Sequence, residues 1–253
     1  MIRSLVRSRT RTNPVFWADE LRLAVGAERF ERALHEPDSV DLLAWNVFES
    51  LERHSDRDWL AHRLQLLGGS GVRAPARLAL WTGRDREPVL QPSRAYVEHV
   101  RERARLAGAD GDLKAFAAPL EVPLRIESPD VLVLVDLTIG PYPRGAGGRD
   151  RLLELIDAGL PHAERLSKAL AVGVVYPSGT SAASELSARV NRLRDPRGLA
   201  AELSHLDRPP SVLLREVSWQ QLLRVWESEV DYLPLGGQPV KAFLDHVRRL
   251  GLR

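Results

Sequence analysis

An acidic residue inside a strongly apolar strand is the first feature of this sequence that could do chemistry. The run VLVLVDLTI (131–139) predicts a buried strand with Asp136 near its end, and PLEVPLRIE (119–127) predicts a strand before it. Alternation along the strand puts Asp136 and Thr138 on one face. A carboxylate in such a place is costly unless it is paired or binds a metal ion. Asp136 is therefore the leading candidate for a functional residue.

A second carboxylate is predicted to lie near Asp136 across a β-hairpin. Residues 128–130 join the two strands, and Pro129 suits the second position of a type I turn. With that turn, Pro123 lies opposite Asp136, and Glu121 lies diagonal to it at about 7 Å between Cα atoms. The carboxylates of Glu121 and Asp136 could then hold one divalent cation, so we predict both as metal ligands.

The run EVPLRIESPDVLVLVDLTI (121–139) resembles the central hairpin of the PD-(D/E)XK, or restriction-endonuclease-like, nuclease superfamily. In that superfamily one strand carries an Asp and the next carries (Asp/Glu)-x-Lys. The helical run AWNVFESLERH could supply the family's helical glutamate through Glu49. SVLLREVSWQQLL and KAFLDHVRRLGL resemble the closing segments of such proteins. The resemblance extends over residues 41–253.

Two of the three signature residues differ from the family pattern. Asp136 matches the acidic residue of (Asp/Glu)-x-Lys, but Thr138 stands at the lysine position and Pro123 at the position of the first Asp. The resemblance implies that the carboxylates hold Mg²⁺ while the lysine positions water and stabilises developing charge. Loss of one such preorganised group typically costs ~10²–10³ in rate. Glu121 could replace the absent Asp, and Lys168 could in principle replace the lysine.

These residues leave three functional hypotheses. The first is a nuclease-fold protein with impaired or lost catalysis that acts as a nucleic-acid-binding or scaffolding subunit. The second is an active DNA nuclease with a rearranged site of Asp136, Glu121, Glu49 and Lys168, which would use Mg²⁺ or Mn²⁺. The third is an unrelated α/β interaction protein in which Asp136 is only a hydrogen-bonded polar residue.

Two groups of arginines are candidates for binding phosphate. Arg7, Arg9 and Arg11 belong to an N-terminal arm that has no acidic residue before Asp19. A glycine-rich loop at 140–150 carries the other two, Arg144 and Arg149. We therefore expect nucleic acid as a partner, with a protein partner or a homo-oligomer as the alternatives.

Composition limits the other function classes. The 253 residues are 44% hydrophobic and 28% charged, which is typical of a globular protein. The absence of cysteine excludes disulfides, thiol nucleophiles and cysteine-ligated metals. We find no Walker phosphate loop, no GxGxxG, no HExxH and no GxSxG. With no apolar run that could span a membrane, we expect a soluble, cytoplasmic protein that does not bind membranes.

The pattern of elements predicts the α/β class, with a mixed central sheet flanked by helices, as in restriction endonucleases, and a helical N-terminal portion. We expect residues 1–40 to form the basic arm and N-terminal helices, and residues 41–253 the α/β domain. Asn13 and Pro14 predict the start of the first helix. Gly159 and Pro161 predict a helix break.

Overall fold

The computed structural model describes residues 12–83, 88–106, 108, 117–140, 144–145, 149–208 and 210–253. Only the backbone is described at residues 144, 145 and 149.

Helices account for most of the regular structure in these residues. In chain order they are α1 (Ala18–Val25), α2 (Ala27–His35), α3 (Val40–Ala44), a π-helical turn (Trp45–Glu49), α4 (Ser50–Glu52), α5 (Arg57–Gly68), α6 (Arg94–Leu106), α7 (Arg151–Arg165), α8 (Ser181–Arg194), α9 (Pro196–Glu202), α10 (Trp219–Ser228), a 3₁₀ turn (Val230–Tyr232) and α11 (Gly237–Arg249). Within the described part of the chain, no helix is both long and apolar enough to cross a membrane.

A mixed sheet forms the centre of the fold. Its strands are β1 (Arg77–Thr82), β2 (Val122–Glu127), β3 (Val131–Leu137), β6 (Ala169–Tyr176) and β7 (Val212–Ser218), while β4 (Arg144–Gly145) and β5 (Arg149–Asp150) form a separate short pair. The order in the main sheet is β1-β2-β3-β6-β7. The first three strands are antiparallel, and β3, β6 and β7 are parallel. The predicted α/β class with a mixed, helix-flanked sheet is confirmed.

The two faces of the sheet are buried against different helices. Alternate residues of β3 beginning at Val131 pack with α5, α10 and α11. Leu132 and Leu134 pack on the other face with residues of α7 and α8. Burial on both faces explains why β3 is apolar along nearly its whole length. By the same alternation, Asp136 lies on the second face of the sheet, on the side of α7.

The predicted register of the hairpin is confirmed. Leu124 pairs with Val135, and the Ser128 backbone N–H donates to the Val131 carbonyl at 3.0 Å. Continuing this ladder by one residue brings Pro123 opposite Asp136. The turn at 128–130 and the alternation of apolar residues agree on a single register, because a slip by one residue would exchange the two faces.

The predicted start of the first helix at Asn13 is wrong. The helix begins at Ala18, and the Asn13 side-chain amide instead donates to the Ala33 and Glu36 carbonyls, at 3.0 and 2.6 Å. Asn13 therefore satisfies free carbonyls at the C-terminus of α2 rather than free N–H groups at the N-terminus of α1. Gly26, at φ +82°, separates α1 from α2.

The predicted helix break at residues 159–161 is also wrong, because α7 continues through Pro161 to Arg165. A Cβ atom on Gly159 would lie 2.8 Å from Leu134 Cδ1 and 3.0 Å from Leu170 Cδ1. Glycine at this position therefore allows the helix to pack closely on β3 and β6. Tertiary packing of this apolar helix outweighs the backbone hydrogen bond that proline removes.

Side chains form hydrogen bonds with backbone groups on both edge strands of the main sheet. Glu52 Oε2 accepts from the Leu78 N–H of β1 at 3.0 Å. Arg194 Nε donates to the Leu214 carbonyl of β7 at 3.2 Å. These contacts hinder the addition of a further strand at those positions.

Candidate functional site

Asp136 lies near the C-terminal end of β3 and is only 6% exposed. Arg151, the first residue of α7, places its Nε atom 3.4 Å from Asp136 Oδ1. The preceding residue, Asp150, caps α7 by accepting from the backbone N–H groups of Leu152 and Leu153, at 3.0 and 3.3 Å. The helix cap therefore places the arginine over the end of β3.

Burial raises the pKa of Asp136, since removal from water disfavours the charged carboxylate. The charge of Arg151 and its hydrogen bond oppose this rise, and the nearby Glu154 adds to it. Arg151 also donates to the backbone carbonyl of Glu121. The Arg151 guanidinium thus contacts both the end of β3 and the start of β2.

The Glu121 carboxylate is held by a different arginine. Arg29 of α2 donates to both of its oxygens, at 2.8 and 3.0 Å. The same guanidinium binds both oxygens of Asp41, at 2.6 and 2.7 Å, and Trp81 Nε1 donates to Asp41 at 3.0 Å. Two carboxylates that share one guanidinium through bidentate contacts form a strong, directional network. It links α2, α3, β1 and the start of β2.

The predicted pair of metal ligands does not fit a divalent cation in this arrangement. A cation between Asp136 and Glu121 would have to displace Arg151 from one carboxylate and Arg29 from the other. Thr138 gives no compensating positive charge, because a hydroxyl is neutral, and its Oγ1 donates to the Gly140 carbonyl at 3.2 Å. Among the described residues, no group of three or more His, Cys, Asp or Glu side chains is arranged to hold a metal ion.

Lys168 is not brought to Asp136. It precedes β6 and binds Glu127 through its Nζ atom at 2.7 Å. In the parallel pairing of β3 with β6, Val131 is the partner of Ala169. Asp136 lies five residues further along β3, which corresponds to roughly 16 Å. Lys168 therefore belongs to the turn end of the hairpin, opposite the Asp136 end.

Glu49 ends the π-helical turn and forms an ion pair with Arg53, at 2.9 Å. The Arg53 guanidinium carbon also lies 4.0 Å from the centre of the Trp17 ring and pairs with Glu20. Glu49 therefore takes part in packing the N-terminal helices onto the α/β domain. The structure does not join it to Asp136.

The predicted phosphate-binding arginines are only partly described. Arg7, Arg9 and Arg11 lie outside the described residues. Arg144 and Arg149 belong to the short strands β4 and β5, where the backbone alone is described. Their role in phosphate binding stays a prediction.

A buried Ser–Asp–His cluster lies between α6 and α7, but its geometry is not that of a catalytic triad. Ser93 Oγ donates to Asp157 Oδ1 at 2.9 Å, and His205 Nε2 lies 2.8 Å from the same oxygen. Both partners thus contact the carboxylate, whereas a nucleophilic serine needs a bond to the histidine. Ser93 Oγ also accepts from the Tyr96 N–H, which caps α6. The cluster anchors a helix.

Arg29 and Arg151 are the important site residues that the sequence did not reveal. Arg29 lies 92 residues from Glu121 along the chain, and no spacing signal connects the two. The sequence does contain a third arginine-rich segment. Residues 185–202 carry four arginines, namely Arg189, Arg192, Arg194 and Arg197, with three acidic residues, Glu185, Asp195 and Glu202.

Comparison with known proteins does not assign the chain to a family: no family model, no curated protein and no solved structure matches it.

Proposed function

We propose that this protein is a nuclease-like domain that has lost catalysis and acts as a nucleic-acid-binding or scaffolding subunit. One observation carries the proposal: each of the two carboxylates predicted to hold a metal is bound by an arginine from a helix. Arg151 binds Asp136, and Arg29 binds Glu121 through two hydrogen bonds. An arginine paired with a carboxylate stabilises its charge but cannot replace a metal-bound water as a source of nucleophile.

The resemblance of residues 121–139 to the PD-(D/E)XK hairpin supports the nuclease-like part of the proposal. The hairpin has the register that this resemblance needs, and it belongs to a mixed sheet flanked by helices. A fold can persist while its chemistry changes, because catalysis depends on a few side chains. Thr138 and Pro123 stand at the positions where two of those side chains are expected.

The test is an assay for cleavage of plasmid DNA, single-stranded DNA and RNA in the presence of Mg²⁺ or Mn²⁺. We expect no cleavage, since two arginines occupy the carboxylates and no lysine of the described residues lies beside Asp136. Binding of the same nucleic acids, measured by fluorescence anisotropy, should be equal for the wild type and Asp136→Asn.

Cleavage that disappears in Asp136→Ala would overturn the proposal and identify an active nuclease. The matched control is Asp130→Ala in the hairpin turn, where the aspartate side chain is 61% exposed. Cleavage that persists equally in both variants would indicate a contaminating nuclease.

A further inference from the structure

A pocket of about 640 Å³ lies where α6, α8 and α9 meet. Arg103, Arg189 and Arg192 line it, together with the acidic residues Asp195 and Glu202. The five side chains sum to a formal charge of +1. This size is within the usual range for pockets that bind small ligands or single groups of larger ones.

Two of these arginines are held in place. Glu202 accepts from Arg103 at 2.7 Å and from Arg189 through its other oxygen. Arg189 also binds Asp150 at 2.7 Å. The two arginines outweigh burial and lower the pKa of Glu202 to about 2, so the carboxylate is charged at neutral pH and fixes both guanidinium groups. Each guanidinium retains N–H groups that these contacts do not use.

Arg192 differs from its neighbours because it has no ion-pair partner in the part of the chain that the structure describes, and its side chain is exposed. Asp195, the nearest acidic residue in the sequence, uses its carboxylate to cap α9 by accepting from the backbone N–H groups of Arg197 and Gly198. The charge of Arg192 is therefore available to an anion from solution.

The pocket is connected to the candidate site by two ion pairs and the N-terminus of α7 between them. Asp150, which Arg189 binds, caps the helix whose first residue is Arg151, and Arg151 contacts Asp136. A ligand at the pocket would therefore lie near the start of α7.

We propose that this pocket binds the phosphodiester backbone of a nucleic acid, with Arg192 in direct contact and Arg103 and Arg189 as a preformed wall. The proposal rests on the proposed function and assigns its nucleic-acid contact to α6, α8 and α9 rather than to the hairpin. Planar guanidinium groups with several fixed donors suit phosphate oxygens. Contacts to phosphate oxygens carry no sequence information, so binding through them is expected to depend on salt more than on sequence.

The test compares the wild type with Arg192→Glu, using fluorescence anisotropy of labelled single-stranded DNA, duplex DNA and single-stranded RNA at several salt concentrations. Arg192 is exposed, so the variant should keep the circular dichroism spectrum and melting temperature of the wild type. We expect affinity to fall by about tenfold and the salt slope to decrease by about one for the bound nucleic acid, because one phosphate contact is lost. Arg103→Gln should also weaken the binding of nucleic acid.

The matched control is Arg248→Glu on α11, which makes the same change in net charge at an exposed position on the other side of the sheet. If the wild type binds nucleic acid and Arg192→Glu binds as tightly with an unchanged salt slope, the pocket proposal is overturned while the proposed function stands. An equal loss in Arg248→Glu also overturns it, since net charge alone would then explain the effect. If the wild type binds none of the three probes, the nucleic-acid part of the proposed function fails together with the pocket.

Discussion

The two ends of the β2–β3 hairpin carry the same kind of ion pair in different surroundings. At the turn end, Glu127 has a side chain that is 33% exposed and binds Lys168 at 2.7 Å. At the opposite end, the side chain of Asp136 is 8% exposed and lies 3.4 Å from Arg151. The hydrogen bond from Lys168 lowers the pKa of Glu127, whereas burial raises the pKa of Asp136 in spite of its arginine.

This difference shows that a cationic neighbour does not by itself decide whether the pKa of a carboxyl group is raised or lowered. For Glu127, solvent still reaches the group, and Lys168 together with Arg125, which binds the other carboxylate oxygen at 2.5 Å, outweighs the loss of hydration. For Asp136, loss of hydration outweighs the attraction to Arg151. The more buried pair should therefore be the more costly one to disrupt, and the following changes test that comparison.

Arg151→Met should have the largest effect. It leaves the buried Asp136 carboxylate without its cation, and we expect the free energy of unfolding at pH 7 to fall by about 3–5 kcal/mol. Denaturation with urea measures the loss. It should become smaller as pH falls, because the raised pKa of Asp136 lets the carboxylate take up a proton more readily. Arg105→Met removes an arginine from an exposed ion pair on α6 and serves as the control. Equal losses in the two variants would contradict the role of burial.

Glu127→Gln should have a smaller effect, about 1 kcal/mol at pH 7, because the lost ion pairs are partly exposed. The pKa of Glu127 is lowered in the folded protein, so its contribution is present above the unfolded pKa and is lost as pH falls through the folded pKa. The difference in the free energy of unfolding between the variant and the wild type should therefore disappear as pH falls. A difference that persists once Glu127 is protonated in the folded protein would show that the side-chain amide disturbs packing instead.

Asp136→Asn should show the smallest effect, because it removes the buried negative charge together with the ion pair and leaves Arg151 bound to the Glu121 carbonyl. Its pH dependence should be opposite to that of Glu127→Gln. The folded pKa of Asp136 is raised, so the wild type loses stability relative to the asparagine variant as pH rises from the unfolded value of about 3.9 through the folded pKa. Thermal melts of both proteins between pH 4 and pH 7 measure this trend. If the variant instead loses stability relative to the wild type as pH rises, attraction to Arg151 outweighs burial and the comparison fails.

Several features of the fold could be predicted because they depend on residues close together in sequence. The turn at 128–130 and the alternation of apolar residues on both sides of it determine the register of the hairpin. Ser218 caps α10 by accepting from the Gln221 N–H at 3.0 Å, and the spacing Ser-x-x-Gln is the sequence signature of such a cap. These signals act over a few residues, so nearby parts of the chain carry all the information they need.

The sequence by itself determined that a carboxylate lies within a buried strand, and only the tertiary structure decided which group neutralises it. Arg29 meets Glu121 because α2 packs beside the start of β2, and Lys168 meets Glu127 because β6 runs parallel to β3. Such contacts join side chains far apart in the chain, and an arginine has no spacing signal that identifies its partner. The physical reason is that local propensities act within a few residues, whereas ion pairing depends on how complete elements pack.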